Sequence, residues 1–197
     1  MNAVNIDTEP NIFVAGMGRC GTTMVMTMLD RGGFPVGDRP PAYEAQTPMV
    51  AGNVKTDALR PFAGMAIKWI DPTISRAPAG MHARTIFLHR DPIEQAKSQL
   101  KLMGMAPVRR HVRTVAASIR RDTEKCQQIV RALGPCLFTS FERILSDPAA
   151  EAVRMEAFLA DPVFDPARAA AAVRPRSAAC APDLSLELSL MQEPAHV

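Results

Sequence analysis

Short apolar runs alternate along the chain with amphipathic stretches. Ile12-Phe13-Val14-Ala15 is continuously apolar, the pattern of a strand covered on both faces. It breaks at Gly16-Met17-Gly18-Arg19-Cys20-Gly21, and Thr22 to Leu29 reads as a helix stopped by Arg31-Gly32-Gly33. Residues 35–63 hold prolines and glycines with little periodicity, and read as loop with short helical pieces. Met65 to Ile70 predicts a second strand, closed by Asp71-Pro72, and Thr85 to Leu88 a third, followed by Arg90-Asp91-Pro92. Proline suits the first helical turn, so Pro92 to Met103 is expected to be helical. Val108, Val112, Val115, Ile119, Cys126, Ile129 and Leu133 form one stripe of a long helix, Val108 to Leu133, ended by Gly134-Pro135. Cys136 to Thr139 predicts a fourth strand. Ser146 to Leu159 predicts a helix with Ser146 as its cap, and Pro166 to Val173 a short alanine-rich one.

Buried strands alternating with helices predict a single-domain, three-layer α/β/α fold with a mainly parallel sheet. The expected organisation is an N-terminal extension (1–10), one domain (11–176) and a C-terminal tail (177–197). At 197 residues, 47% hydrophobic and 22% charged, the chain suits one compact domain. A net charge of +3 fits an anionic ligand but is too small to argue for nucleic acid. No stretch is long and apolar enough to span a membrane. Met1 to Pro10 carries Asp7 and Glu9 and no apolar core, unlike a signal peptide. Cys20, Cys126, Cys136 and Cys180 form no CxxC pair, so neither a zinc site nor a disulfide framework is expected, and a reducing cytoplasm is.

The chemistry points first to Gly16-Met-Gly-Arg-Cys-Gly21-Thr22-Thr23. Strand, glycine loop and helix in that order place backbone N–H groups and a positive helix end around an anion. Thr22 stands where a nucleoside-triphosphate loop would have lysine, and Arg19 lies inside the loop. Asp71 and Asp91 are poor magnesium positions, which disfavours a magnesium–ATP site and leaves no metal expected. A plain tight turn is the alternative reading of the loop. His89-Arg90-Asp91 imitates a kinase tripeptide, but Ala96 occupies the position of the required asparagine.

Arg90-Asp91-Pro92-Ile93-Glu94-Gln95-Ala96-Lys97-Ser98 adds an arginine at a strand end and a serine two helical turns on, able to converge on one phosphate. Together the two segments resemble the sulfotransferases that use 3′-phosphoadenosine 5′-phosphosulfate (PAPS), whose loop reads P-K/R-S-G-T-T and whose second segment reads R-D-P-x5-S. Thr139 to Pro148 is similar to a third stretch of that family, so the resemblance covers about residues 11–160. It implies a P-loop-like sulfotransferase fold in which Gly18, Arg19, Cys20, Gly21, Thr22 and Thr23 wrap the 5′-phosphosulfate. Arg19 would face the bridging oxygen, while Arg90 and Ser98 would hold the 3′-phosphate. The implied product is 3′-phosphoadenosine 5′-phosphate (PAP), and the implied acceptor is a hydroxyl or amine of a small molecule or carbohydrate. Cys20 departs from the family's serine; a thiol at a helix N-terminus could have a lowered pKa. The short chain implies a reduced acceptor lid or one supplied by a partner, and Arg174 and Arg176 are candidates for the missing donor cover.

The resemblance implies a base for the acceptor proton. Glu44 is the first candidate, because some bacterial sulfotransferases keep a glutamate after the loop helix; a solvated loop carboxylate is the alternative. His89, beside Arg90, is the second. Lys68, inside an apolar strand, is either a cation near the sulfate or acceptor or a strand-end lysine reaching solvent. Arg109, Arg113 and Arg120 could share a helix face toward an acidic ligand, or simply be solvated. Two other functions stay open: a small P-loop phosphotransferase, and a non-catalytic nucleotide-binding module of the same descent.

Overall fold

The computed structural model describes residues 11–45, 49, 52–175 and 184–191; the proposed N-terminal extension, Arg176 and Cys180 lie outside them. Strand β1 (Asn11–Gly16) leads into helix α1 (Thr22–Arg31). The loop region holds strand β2 (Gly52–Asn53) and helix α2 (Thr56–Leu59), with a 3-10 turn over Arg60–Phe62. Then follow β3 (Ala66–Ile70), β4 (Ser75–Arg76), β5 (Ala83–His89), α3 (Pro92–Leu102) and α4 (Arg109–Leu133). The chain continues through β6 (Cys136–Ser140), α5 (Phe141–Ser146), α6 (Pro148–Leu159), α7 (Pro166–Ala171) and α8 (Leu184–Met191).

The main sheet is parallel, in the order β3-β1-β5-β6, and β2 pairs with β4 in a small second sheet. Alternation along the strands sorts the core into layers. Ile12, Val14, Ile86 and Leu88 pack toward α1, α6 and α7. Phe13, Ala15, Ile67, Trp69 and Phe87 pack with Cys126 and Val130 of α4 on the opposite face. The three-layer parallel architecture expected from the apolar pattern is the one found.

Two local expectations are corrected. The cap before α6 is Asp147, whose carboxylate accepts from Ala150 N–H at 2.9 Å. Ser146 instead closes α5, a separate helix capped by the Ser140 hydroxyl, which accepts from Arg143 N–H. The stripe on α4 is also rotated slightly: Ala116 and Val130 are buried, Val115 and Ile129 partly so, and Val108 is exposed. The two ends of α4 serve different partners, α3 and α8 near its start and the sheet near its end. The C-terminal region contributes α8, whose Leu186 joins the apolar cluster between α3 and α4.

Candidate functional site

The chain leaves β1 and returns on one side of it as β3 and on the other as β5. The crevice beyond the carboxyl ends of these strands is where a parallel sheet places its ligands. Gly16, Ile70 and His89 end the three strands there. Gly16 has no room for a side chain, since a Cβ would overlap the Leu88 carbonyl and Cys20 Sγ. Gly21, with φ 107°, needs glycine's left-handed freedom, and a Cβ there would lie 2.6 Å from the Phe141 ring. Gly18 is different: a Cβ would meet only Ile70 Cγ2, at 3.9 Å, so the loop's outer side is open.

Helix α1 starts at Gly21 with no side-chain cap and no acidic residue in its first turn. Its positive end therefore faces the crevice without a protein carboxylate of its own. Arg19 adopts φ 69°, a left-handed conformation that costs a non-glycine residue about 1–3 kcal/mol. Both peptide carbonyls flanking it are held by donors on the second segment. Gln95 Nε2 donates to Gly18 O at 2.8 Å, and Arg90 Nη1 donates to Arg19 O at 3.3 Å. Arg19 Nε in turn donates to Ser98 Oγ at 3.1 Å. The Arg90 guanidinium lies over the Phe141 ring, 4.5 Å from its centroid. Asp91 caps α3, accepting from Ile93 and Glu94 N–H, and this orients the helix that carries Gln95 and Ser98. The two segments, seventy-nine residues apart at Arg19 and Ser98, are thus one structure.

Gln95 was not singled out from the sequence, although it is buried and grips the loop. A glutamine within an amphipathic helix carries no local mark of such a role; only the approach of α3 to the loop reveals it.

A second cluster lies at the other edge of the crevice. Lys68 is 3% exposed, which overturns the reading of a lysine reaching solvent. Its position in β3 alternates with Ile67 and Trp69, so it faces α1. Lys68 Nζ donates to Thr23 Oγ1 at 2.7 Å and to Ala42 O at 2.9 Å, and pairs with the Glu44 carboxylate. The Glu44 side chain stays nearly half exposed, at 46%. Tyr43, just before it, is buried and donates to Asp30 Oδ2 at 2.9 Å, tying this segment to α1. Thus Glu44, Lys68 and the loop's Thr23 form one hydrogen-bonded group. His89 is exposed at the end of β5, next to Arg90.

Cys20 corrects a further expectation. Its thiol points into the core, and burial pushes its pKa up to about 12, against the smaller lowering effect of neighbouring backbone N–H groups. It is a packing residue at this site and not an activated thiol. Among the other cations considered, Arg113 Nη2 donates to Leu190 O, anchoring α8, while Arg120 is exposed. Arg174 is exposed beyond α7. Asp71 accepts from Thr73 and shapes the turn after β3. Among the described residues, no group of three or more His, Cys, Asp or Glu side chains is placed to hold a metal ion.

The arrangement supplies an anion cradle, cations on two sides, and a partly exposed carboxylate beside it. No protein-family model matches the chain, and no curated protein sequence matches it. A matching solved structure is the crystal structure of a sulfotransferase from Alicyclobacillus acidocaldarius. It is 14% identical, with a TM-score of 0.50, over 95% of this chain and 98% of that one. At that identity the likeness is one of fold, and the chain has a sulfotransferase-like α/β fold.

Proposed function

We propose that the protein is a sulfotransferase that moves a sulfuryl group from PAPS to a hydroxyl or amine of a small-molecule or carbohydrate acceptor. The observation that carries this reading is the convergence of Arg90, Gln95 and Ser98 on the loop around Arg19. A doubly phosphorylated adenosine needs two neighbouring anion sites, here one at the loop and α1 and one at Arg90 and Ser98. The open side of Gly18 and the uncapped start of α1 fit the 5′ end.

In this reading Gly18, Gly21, Thr22 and Thr23 present N–H and hydroxyl donors to the 5′-phosphosulfate. Cys20 contributes backbone alone. Arg19, which donates through Nε to Ser98 Oγ, offers its terminal N–H groups to the oxygen on which charge gathers as the sulfuryl group departs, the electrostatic role that most lowers such barriers. Glu44 takes the acceptor's proton. Lys68, with its donors spent on Thr23, Ala42 and Glu44, positions that carboxylate and does not touch the sulfate. His89 is the second candidate for the base. Free thiols at Cys20, Cys126 and Cys136 suit a reducing cytoplasm.

The test is ligand stabilisation followed by transfer. PAP should raise the melting temperature by mass action, and magnesium–ATP should not. Preference for magnesium–ATP would overturn the reading in favour of a phosphotransferase. Transfer of labelled sulfate from PAPS to a panel of alcohols, phenols, amines and sugars then separates an enzyme from a non-catalytic binding module.

A further inference from the structure

Soluble proteins keep large apolar side chains out of contiguous exposed patches unless the patch has a partner. Among the described residues nine large apolar side chains are exposed, and six of them belong to the α3–α4 turn and to α8. Leu102 (67%), Met103, Met105 and Val108 fall within seven residues at the tip of the α3–α4 helical hairpin. Leu188 and Met191 (81%) belong to α8, which packs against the same hairpin. Arg113 Nη2 holds Leu190 O and Lys97 pairs with Glu187, so α8 is fastened to both helices of the hairpin.

The exposure is built into the turn. Met105 N–H donates to Leu100 O at 2.9 Å and Gly104 N–H to Lys101 O at 3.1 Å. Gly104 takes the left-handed conformation, φ 69°, that closes a helix this way. The apolar side chains are thereby carried on a hydrogen-bonded, protruding end, a shape that enters a partner and does not enclose a small ligand.

Charge chooses the partner. From Gln95 to Arg121 the chain has seven lysines and arginines and no aspartate or glutamate; Lys97 is paired with Glu94 and Glu187, and Arg121 with Asp122, at the far ends of this stretch from the turn. At the tip itself Lys101 and Arg110 are exposed on either side of the apolar residues. Apolar side chains ringed by cations, with no acid among them, are the chemistry of a surface that inserts below anionic lipid headgroups.

We propose that this tip docks the protein on an anionic lipid bilayer. Leu102, Met103 and Met105 enter the headgroup boundary, while Lys101 and Arg110 pair with lipid phosphates. The contact lies beyond Ser98 on the same helix, so it leaves the loop and Glu44 open to ligands.

The experiment is co-sedimentation of the full chain with vesicles of phosphatidylcholine, and of phosphatidylcholine mixed with phosphatidylglycerol. Binding is expected to the mixed vesicles, to weaken with salt, and to be much weaker on neutral ones. Replacing Lys101 and Arg110 together by alanine should lower binding about 25-fold, at roughly fivefold per cation. The triple variant Leu102→Ser, Met103→Ser, Met105→Ser should lower it at least about tenfold. Val163→Ser, which removes an exposed apolar side chain elsewhere, should change nothing. Melting temperatures of all variants check that each is folded. Absence of vesicle binding, or binding unchanged in both tip variants, overturns the proposal. So does concentration-dependent self-association in solution that the triple variant abolishes while vesicles bind nothing; the tip would then join two copies of the chain.

Discussion

Arg19 sits in a conformation that its own sequence neighbourhood does not favour, and Gln95 is one of the two side chains that hold it there. The variant Gln95→Leu keeps the volume and removes the bond to Gly18 O. A single hydrogen bond of this kind contributes about 1 kcal/mol. For a chain of this size that loss lowers the melting temperature by about 2–4 °C. The larger consequence is at the loop. With one of its two carbonyl anchors gone, the Gly18–Arg19 peptide samples other orientations, and a ligand must pay to restore the bound one. If most of the lost 1 kcal/mol appears in binding, affinity falls about fivefold. With the loop proposed to hold the 5′ end, PAP and 5′-AMP should lose by the same factor. Isothermal titration of both ligands to the purified variant measures this directly. A loss confined to PAP, or affinities within twofold of the original despite a lowered melting temperature, would refute the assignment of Gln95 to the loop's 5′ end.

Arg90→Ala should show the complementary pattern in the same titration: PAP weakened about tenfold or more, as expected for a charge-assisted contact, and 5′-AMP much less. Equal losses would count against a 3′-phosphate site. Cys20 should resist iodoacetamide at neutral pH in the native protein, since burial raises its thiol pKa to about 12; a rapid adduct, detected by mass spectrometry of peptides, would contradict its buried placement. Glu151 gives a pH dependence. Burial alone would raise its pKa, but Thr139, Arg154 and Arg143 outweigh burial and hold it below the ordinary 4.5. Its stabilising contribution is therefore complete above about 4.5 and lost as pH falls through the lowered folded value. Glu151→Gln should lower the melting temperature at neutral pH and flatten the acid side of the profile, and an unchanged acid limb would show that other carboxylates control it.

Much of the fold was legible because its signals are local. Continuous apolar runs such as Ile12 to Ala15 can only be buried on both sides, and a parallel sheet is the place for them. The glycine loop was legible for the same reason at Gly21, whose left-handed backbone needs glycine, whereas Gly16 is required by the approach of the Leu88 carbonyl across the sheet. The boundary at residues 140–148 was not. Ser140, Ser146 and Asp147 all suit a cap, and the choice between them depends on where β6 ends against β5.

The side-chain roles divide along the same line. Sequence by itself determined the strand–loop–helix order, the arginine just before α3 and the serine within it, and the presence of a lysine in an apolar strand. Tertiary structure alone decided what those residues touch. Alternation along β3 turned Lys68 toward α1, and the fold brought Ala42 and Glu44 to it, converting a costly buried charge into a paired one. The same packing turned the Cys20 thiol inward and brought Gln95 onto Gly18 O. Periodicity and loop chemistry are properties of adjacent residues, whereas a buried group's partner is set by strand order and helix packing, across 24 residues from Lys68 to Glu44 and 77 from Gln95 to Gly18.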